Sequence, residues 1–137
     1  MLKQQSLEQK IARRITRKQV NVLLREDFKD LGDYDQVGRA LKKLADKGKI
    51  IRIGYGLYAK AKVSVLTGRM VPIATLPDLG REALSRLRVK MAPSKAESDY
   101  KAGRSTQVPT GRLIGVKGRV SRRISYKGTY LTYEYVA

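Results

Sequence analysis

Cysteine, histidine and tryptophan are all absent from this chain of 137 residues, and phenylalanine occurs once. Without cysteine there are no disulfides and no thiolate metal sites. Without histidine the commonest metal ligand and the usual neutral-pH proton shuttle are also missing. Carboxylates are scarce, twelve against thirty Lys and Arg. The pairs Asp78/Glu82 and Glu97/Asp99 could in principle do acid–base work, but both sit where a helix start would use them as caps. Neither GxGxxG nor GxxxxGK[ST] occurs, so no phosphate-cradling loop is present. These absences predict a protein that is not an enzyme, with no cofactor and no metal. Apolar runs extend only a few residues, as around 63–66, so none would span a bilayer and no membrane partner is expected. The start, "MLKQQSLEQK", has no apolar stretch of the secretory kind, which predicts a cytoplasmic protein.

What the chain has in abundance is positive charge, a formal +18. A field of that size on a small domain draws in polyanions, of which nucleic acid is the most abundant inside cells. The excess is even along the chain: sixteen basic and seven acidic side chains in residues 1–62, fourteen and five in residues 63–137. Composition leaves open whether the second half meets nucleic acid or an acidic protein.

Hydrophobic spacing then divides the chain. In "SLEQKIARRI", Leu7, Ile11 and Ile15 make one helical stripe, and Ser6 with Gln9 is a capping box. Arg13, Arg14, Arg17 and Lys18 crowd the far end, where cations suit the helix dipole. Residues 20–24 form a β-compatible run, and "REDFKDLG" reads as a short helix ended by Gly32. Asp33 with Gln36 caps a third helix, "YDQVGRALKKLADKG", with Val37, Ala40, Leu41 and Leu44 on its apolar face and Gly48 as its stop. Gly38 inside that helix is costly, and another backbone passing close by would explain it. "KIIRIGYGLYAK" alternates on both sides of Gly54-Tyr55-Gly56, as a tight hairpin does, with Ile51, Ile53 and Leu57 sealing the core. Helix, helix, helix, hairpin is the order of a winged helix-turn-helix, assigned to residues 1–62. Residues 63–137 read as a small basic α+β domain: a helix around 81–87, a strand near 89–91, a helix capped by Ser94, and a three-stranded antiparallel meander. The fold class predicted is α+β.

In a helix-turn-helix the second helix of the pair enters the major groove with its N-terminal residues on base edges. Off the core stripe of 34–47 stand Tyr34, Gln36, Arg39, Lys42 and Lys43. Gln pairs with adenine and Arg with guanine, while lysines hold phosphates. Pairs such as Asp35–Arg39 and Asp46–Lys42 would instead make this an ordinary solvated face. Arg52, Tyr55, Lys60 and Lys62 lie on or beside the hairpin, placed for phosphates or the adjacent minor groove. Tyr126, Tyr130, Tyr133 and Tyr135 carry the rival reading of an RNA-binding sheet that stacks bases.

The run "LLREDFKDLGDYDQVGRALKKLADKGKIIRIGYGLYAK" resembles the N-terminal winged-helix domain of AbiEi-type antitoxins and their short relatives. Phe28, Leu31-Gly32, Val37, Ala40-Leu41, Leu44, Gly48, Ile50, Arg52-Ile53 and Gly56-Leu57-Tyr58 carry the likeness, and "STQVP" at 105–109 looks like a phrase of the short relatives' C-terminal part. The resemblance implies a type IV toxin–antitoxin setting. There the antitoxin binds inverted repeats of double-stranded DNA in its own promoter, represses it, and counteracts a nucleotidyltransferase toxin. By position it makes 34–47 the DNA-reading helix and 50–60 the wing. At the wing tip, where that family often carries a cation, this chain has Tyr55. A stand-alone regulator of a mobile element is the alternative setting for the same module.

Overall fold

The computed structural model describes residues 5–137. Residues 1–4, part of the stretch read as free of a secretory signal, lie outside the described residues. The chain is mixed α+β and divides into two compact units, Met1–Ala74 and Thr75–Ala137. The boundary falls twelve residues beyond the predicted one, because the strand that closes the hairpin continues into a further pairing.

In the first unit α1 (Leu7–Arg17) starts at Ser6 with the expected capping box and ends at Lys18. A short strand β1 (Val22–Leu24) follows, then a 3₁₀ turn (Arg25–Phe28) in place of the expected short helix. The α2 helix (Tyr34–Asp46) is capped reciprocally by Asp33 and Gln36. Next come β2 (Ile50–Gly54), β3 (Leu57–Val63) and β4 (Met70–Pro72). β3 is central, antiparallel to β1 and β2 along its first part and to β4 through Ala61–Val63. That last pairing is what carries the unit past Lys62.

Ile11, Ile15, Leu23, Phe28, Val37, Leu41, Leu44, Ile50 and Tyr58 pack into one core between the helices and the sheet. The register sets Leu23 opposite Tyr58, Val22 opposite Ala59 and Leu24 opposite Leu57. Val22, Leu57 and Ala59, which fall outside that core, are buried too. Ile51, expected to seal the core, is only half-buried. The register puts Ile50 on the face shared with Leu23 and Tyr58 that packs against the helices, and turns Ile51 to the other face. A bulge between Arg52 and Gly54 precedes the tip, where Gly56 takes φ +65°, a conformation that suits glycine. The turn between β3 and β4 leaves Val65 and Leu66 almost wholly exposed.

The second unit is built on α3 (Leu76–Arg86), capped by Thr75, and α4 (Lys95–Lys101), capped by the buried Ser94 in a box with Glu97. The strands are β5 (Met91–Ala92), β6 (Leu113–Val116), β7 (Ser125–Tyr126), β8 (Thr129–Tyr130) and β9 (Thr132–Tyr135). The predicted antiparallel meander is not what forms. β6 lies in the middle of a three-stranded sheet, antiparallel to β5 and parallel to β9, while β7 and β8 make a separate hairpin. Alternation shows which side chains share a face but not the partner or its direction. A parallel partner must be reached by a crossover, supplied here by the segment holding β7 and β8. The two-residue turn of that hairpin uses positive φ at both Lys127 and Gly128, the pattern that matches strand twist. Leu79, Ala83, Leu84, Ile114, Val116, Ile124 and Leu131 are buried in this unit. Gly115 lets β6 approach the Ala92–Pro93 backbone, since a Cβ there would lie 2.2 Å from the Ala92 carbonyl oxygen.

Candidate nucleic-acid interface

The reciprocal cap that starts α2 decides how its first turn presents itself. The Asp33 side chain accepts from the Gln36 backbone N–H at 2.8 Å, and Gln36 Oε1 accepts from the Asp33 N–H at 3.1 Å. Gln36 is thereby fixed in orientation, with its Oε1 occupied by the cap and its amide nitrogen left as an exposed donor. Three and seven positions further, Arg39 and Lys43 stand on the same face. Gln36, Arg39, Lys43 and Lys47 line one open groove of about 400 Å³, whose other side is Ser6, Leu7 and Glu8 at the start of α1.

Of these cations Lys47 is neutralised by Glu8 at 2.7 Å, a bond that also pins the end of α2 to the start of α1. Arg39, Lys42 and Lys43 are exposed and make no ion pair among the described residues; neither Asp35–Arg39 nor Asp46–Lys42 closes. The stripe is therefore a row of uncompensated positive charge with one amide donor at its head. Lys42 stands on the neighbouring face, outside the groove.

Tyr34 and Tyr55 are exposed, 61% and 67%, yet both are engaged from beneath. The Arg25 guanidinium carbon lies 4.3 Å from the Tyr34 ring centre and 5.9 Å from that of Tyr55. Each contact falls within the range of a cation–π attraction. The same guanidinium rests on Gly38: a Cβ there would come within 2.6 Å of Arg25 Cζ. Gly38 thus accommodates a side chain, where the sequence suggested another backbone. Arg25 Nε is buried with no hydrogen-bond partner, so ring faces rather than acceptors hold this cation. Arg25 was not among the residues singled out in the sequence. The signal available was a costly glycine one turn beyond an exposed aromatic.

The other hairpin residues have separate tasks. Arg52 is exposed and its Nε donates to the Gly54 carbonyl at 3.3 Å, bracing its own turn. Lys60 is half-buried and donates to the Lys18 carbonyl, joining β3 to the end of α1. Lys62 is exposed on β3 where that strand pairs with β4. On the opposite side of α1, Arg14 grips Asp30 with two bonds of 2.5 and 2.8 Å and donates to the Asp27 carbonyl at 3.3 Å. Hydrogen bonding from Arg14 holds the Asp30 carboxyl below its usual range, and the same bond raises Arg14.

The four tyrosines of the tail are divided between two separate sheets. Tyr126 and Tyr130 belong to the β7–β8 hairpin and Tyr133 and Tyr135 to β9. Tyr133 donates to the Arg122 carbonyl at 2.9 Å, and burial pushes its hydroxyl pKa up.

Fold and charge together define a small α+β protein with a basic helix-and-hairpin unit. No helix of the described residues is long and apolar enough to cross a membrane. The chain belongs to a family of unknown function, DUF6088, whose model matches residues 8–128. No curated protein and no solved structure matches it.

Proposed function

We propose that the chain is a duplex-DNA-binding regulator whose first unit acts as a winged helix-turn-helix, with α2 as the reading helix and the β2–β3 hairpin as the wing. The observation that carries this reading is the row Gln36, Arg39 and Lys43 along one groove, exposed and without acidic partners inside a net charge of +18. Arg39 is the residue that reads, through guanine. Lys42, Lys43 and Lys62 hold phosphates, and Arg52 joins them at the hairpin. Tyr34 and Tyr55 shape the junction between helix and hairpin through Arg25. Dispersal of the tail tyrosines over two separate sheets favours duplex DNA over base stacking on an RNA platform.

The likeness to AbiEi-type antitoxins extends the proposal: a non-enzymatic repressor of its own promoter that also counteracts a nucleotidyltransferase toxin through its second unit. Co-purification with the product of the adjacent gene tests that extension, and an adjacent gene of unrelated chemistry would remove it.

Binding to the chain's own upstream DNA, compared with a scrambled duplex of equal length, tests the proposal itself. Preference for the upstream duplex is the expected result, with Arg39→Ala reducing that preference by about 1–3 kcal/mol and leaving scrambled binding unchanged. With six or more phosphates held, affinity should fall on the order of 10³-fold between 50 and 200 mM salt. Equal binding to both duplexes would overturn the regulator reading.

A further inference from the structure

The side of α1 away from the groove carries a second concentration of positive charge. Lys10, Arg13, Arg14 and Arg17 stand at i, i+3, i+4 and i+7, hence on one helical face. With Gln5 and Leu31 they line an open hollow of about 250 Å³. Like charges one turn apart repel, so such a row needs a reason. The helix dipole supplies one for Arg14 and Arg17, which lie in the last turn, but not for Lys10 and Arg13, which precede it.

Nor do the nearby acids account for it. Asp30 is taken by Arg14, Glu8 by Lys47, and Asp27 Oδ2 by the Leu24 N–H. Among the described residues the side chains of Lys10, Arg13 and Arg17 make no ion pair or hydrogen bond, although Arg14 between them is engaged by Asp30 and the Asp27 carbonyl. The Arg14–Asp30 bond also fixes α1 against the 3₁₀ turn, so the three free cations project from a braced element. Leu31 also lines their hollow, which is open to solvent and has room for a phosphodiester group.

We propose that Lys10, Arg13 and Arg17 form a phosphate-gripping face of α1, holding the backbone of the same duplex that α2 reads and carrying no sequence information. The inference rests on the DNA-binding reading above and adds a site to it. An acidic protein surface is the rival occupant.

The test is the salt dependence of binding by the full chain to the upstream duplex and to its scrambled counterpart. Three proteins are compared: wild type, K10Q/R13Q/R17Q, and a variant with the same charge change elsewhere, K90Q/K95Q/R119Q. Each phosphate contact contributes about 0.9 to the slope of log affinity against log salt. The α1 variant should therefore lose about 2.7 of slope on both duplexes, which shrinks the affinity change between 50 and 200 mM by roughly 40-fold. The charge-retaining variant K10R/R13K/R17K should recover the wild-type slope, and circular dichroism should show α1 intact throughout. An α1 slope equal to that of K90Q/K95Q/R119Q, in a wild type that still prefers the upstream duplex, would overturn this inference alone. A wild type that binds neither duplex would overturn the regulator reading and the inference with it.

Discussion

The two units carry comparable excess charge, seventeen basic against seven acidic side chains in residues 1–74 and thirteen against five in residues 75–137. They display it differently. In the first unit the cations fall into rows on helices, Arg39 and Lys43 on α2 and Lys10, Arg13 and Arg17 on α1, each lining a hollow. In the second, no acid occurs between Asp99 and Glu134, yet the eight cations of that stretch sit mostly on irregular segments and turns. A helix holds its side chains at fixed spacing, and a row so held can match the repeat of a phosphate backbone. Cations on loops supply field without register. On the proposed DNA-binding function, comparable excess charge would serve reading in the first unit and only attraction in the second.

That contrast can be broken from either side. Phe28→Ala removes a fully buried ring from the first core and should cost about 3–5 kcal/mol. DNA binding should be lost together with the first unit's cooperative melt. Gly115→Ala drives a Cβ against the Ala92 carbonyl, a backbone atom that cannot step aside, and should cost about 3 kcal/mol or more. Its expected signature is a destabilised second unit with preference for the upstream duplex retained. If Gly115→Ala abolished that preference, reading would not belong to the first unit alone.

Smaller effects sharpen the picture at the Arg25 junction. On helix propensity alone Gly38→Ala should stabilise α2 by up to ~1 kcal/mol. With Arg25 present the new methyl meets its guanidinium, so the gain should vanish or reverse and the Tyr34 and Tyr55 ring resonances should shift. In an Arg25→Ala background the same substitution should stabilise, and a sign unchanged between backgrounds would contradict the clasp. In the second unit, Tyr133→Phe removes the bond to the Arg122 carbonyl and should cost about 0.5–1.5 kcal/mol. Because burial raises the Tyr133 pKa, its contribution is present below the ordinary tyrosine value of about 10 and fades as pH rises through the folded value. Asp30 acts in the opposite direction. Its lowered pKa gives stability that is present above the ordinary carboxylate range and is lost as pH falls through the folded value. Asp30→Asn should flatten that acid limb, as followed by thermal melts against pH.

The sequence was most informative where structure is local. Ser6/Gln9, Asp33/Gln36 and Ser94/Glu97 announce three helix starts, and all three capping boxes form. The apolar stripe of α2 likewise leaves Gln36, Arg39 and Lys43 outward. Contacts between distant residues were hidden. Nothing in the vicinity of Lys60 announces that it will donate to the Lys18 carbonyl, 42 positions away. Nor does the alternation at 113–116 name residues 132–135 as a parallel partner. Arg25 is intermediate, since Gly38 signalled a close approach without saying by what.

The most direct test is an amide-shift map of the full chain titrated with its upstream duplex. Perturbations should concentrate on residues 34–43 and the β2–β3 hairpin, with Lys10, Arg13 and Arg17 following, and a scrambled duplex should move the α1 residues while sparing Arg39. Perturbations confined to residues 75–137, or identical maps for both duplexes, would contradict reading by the first unit.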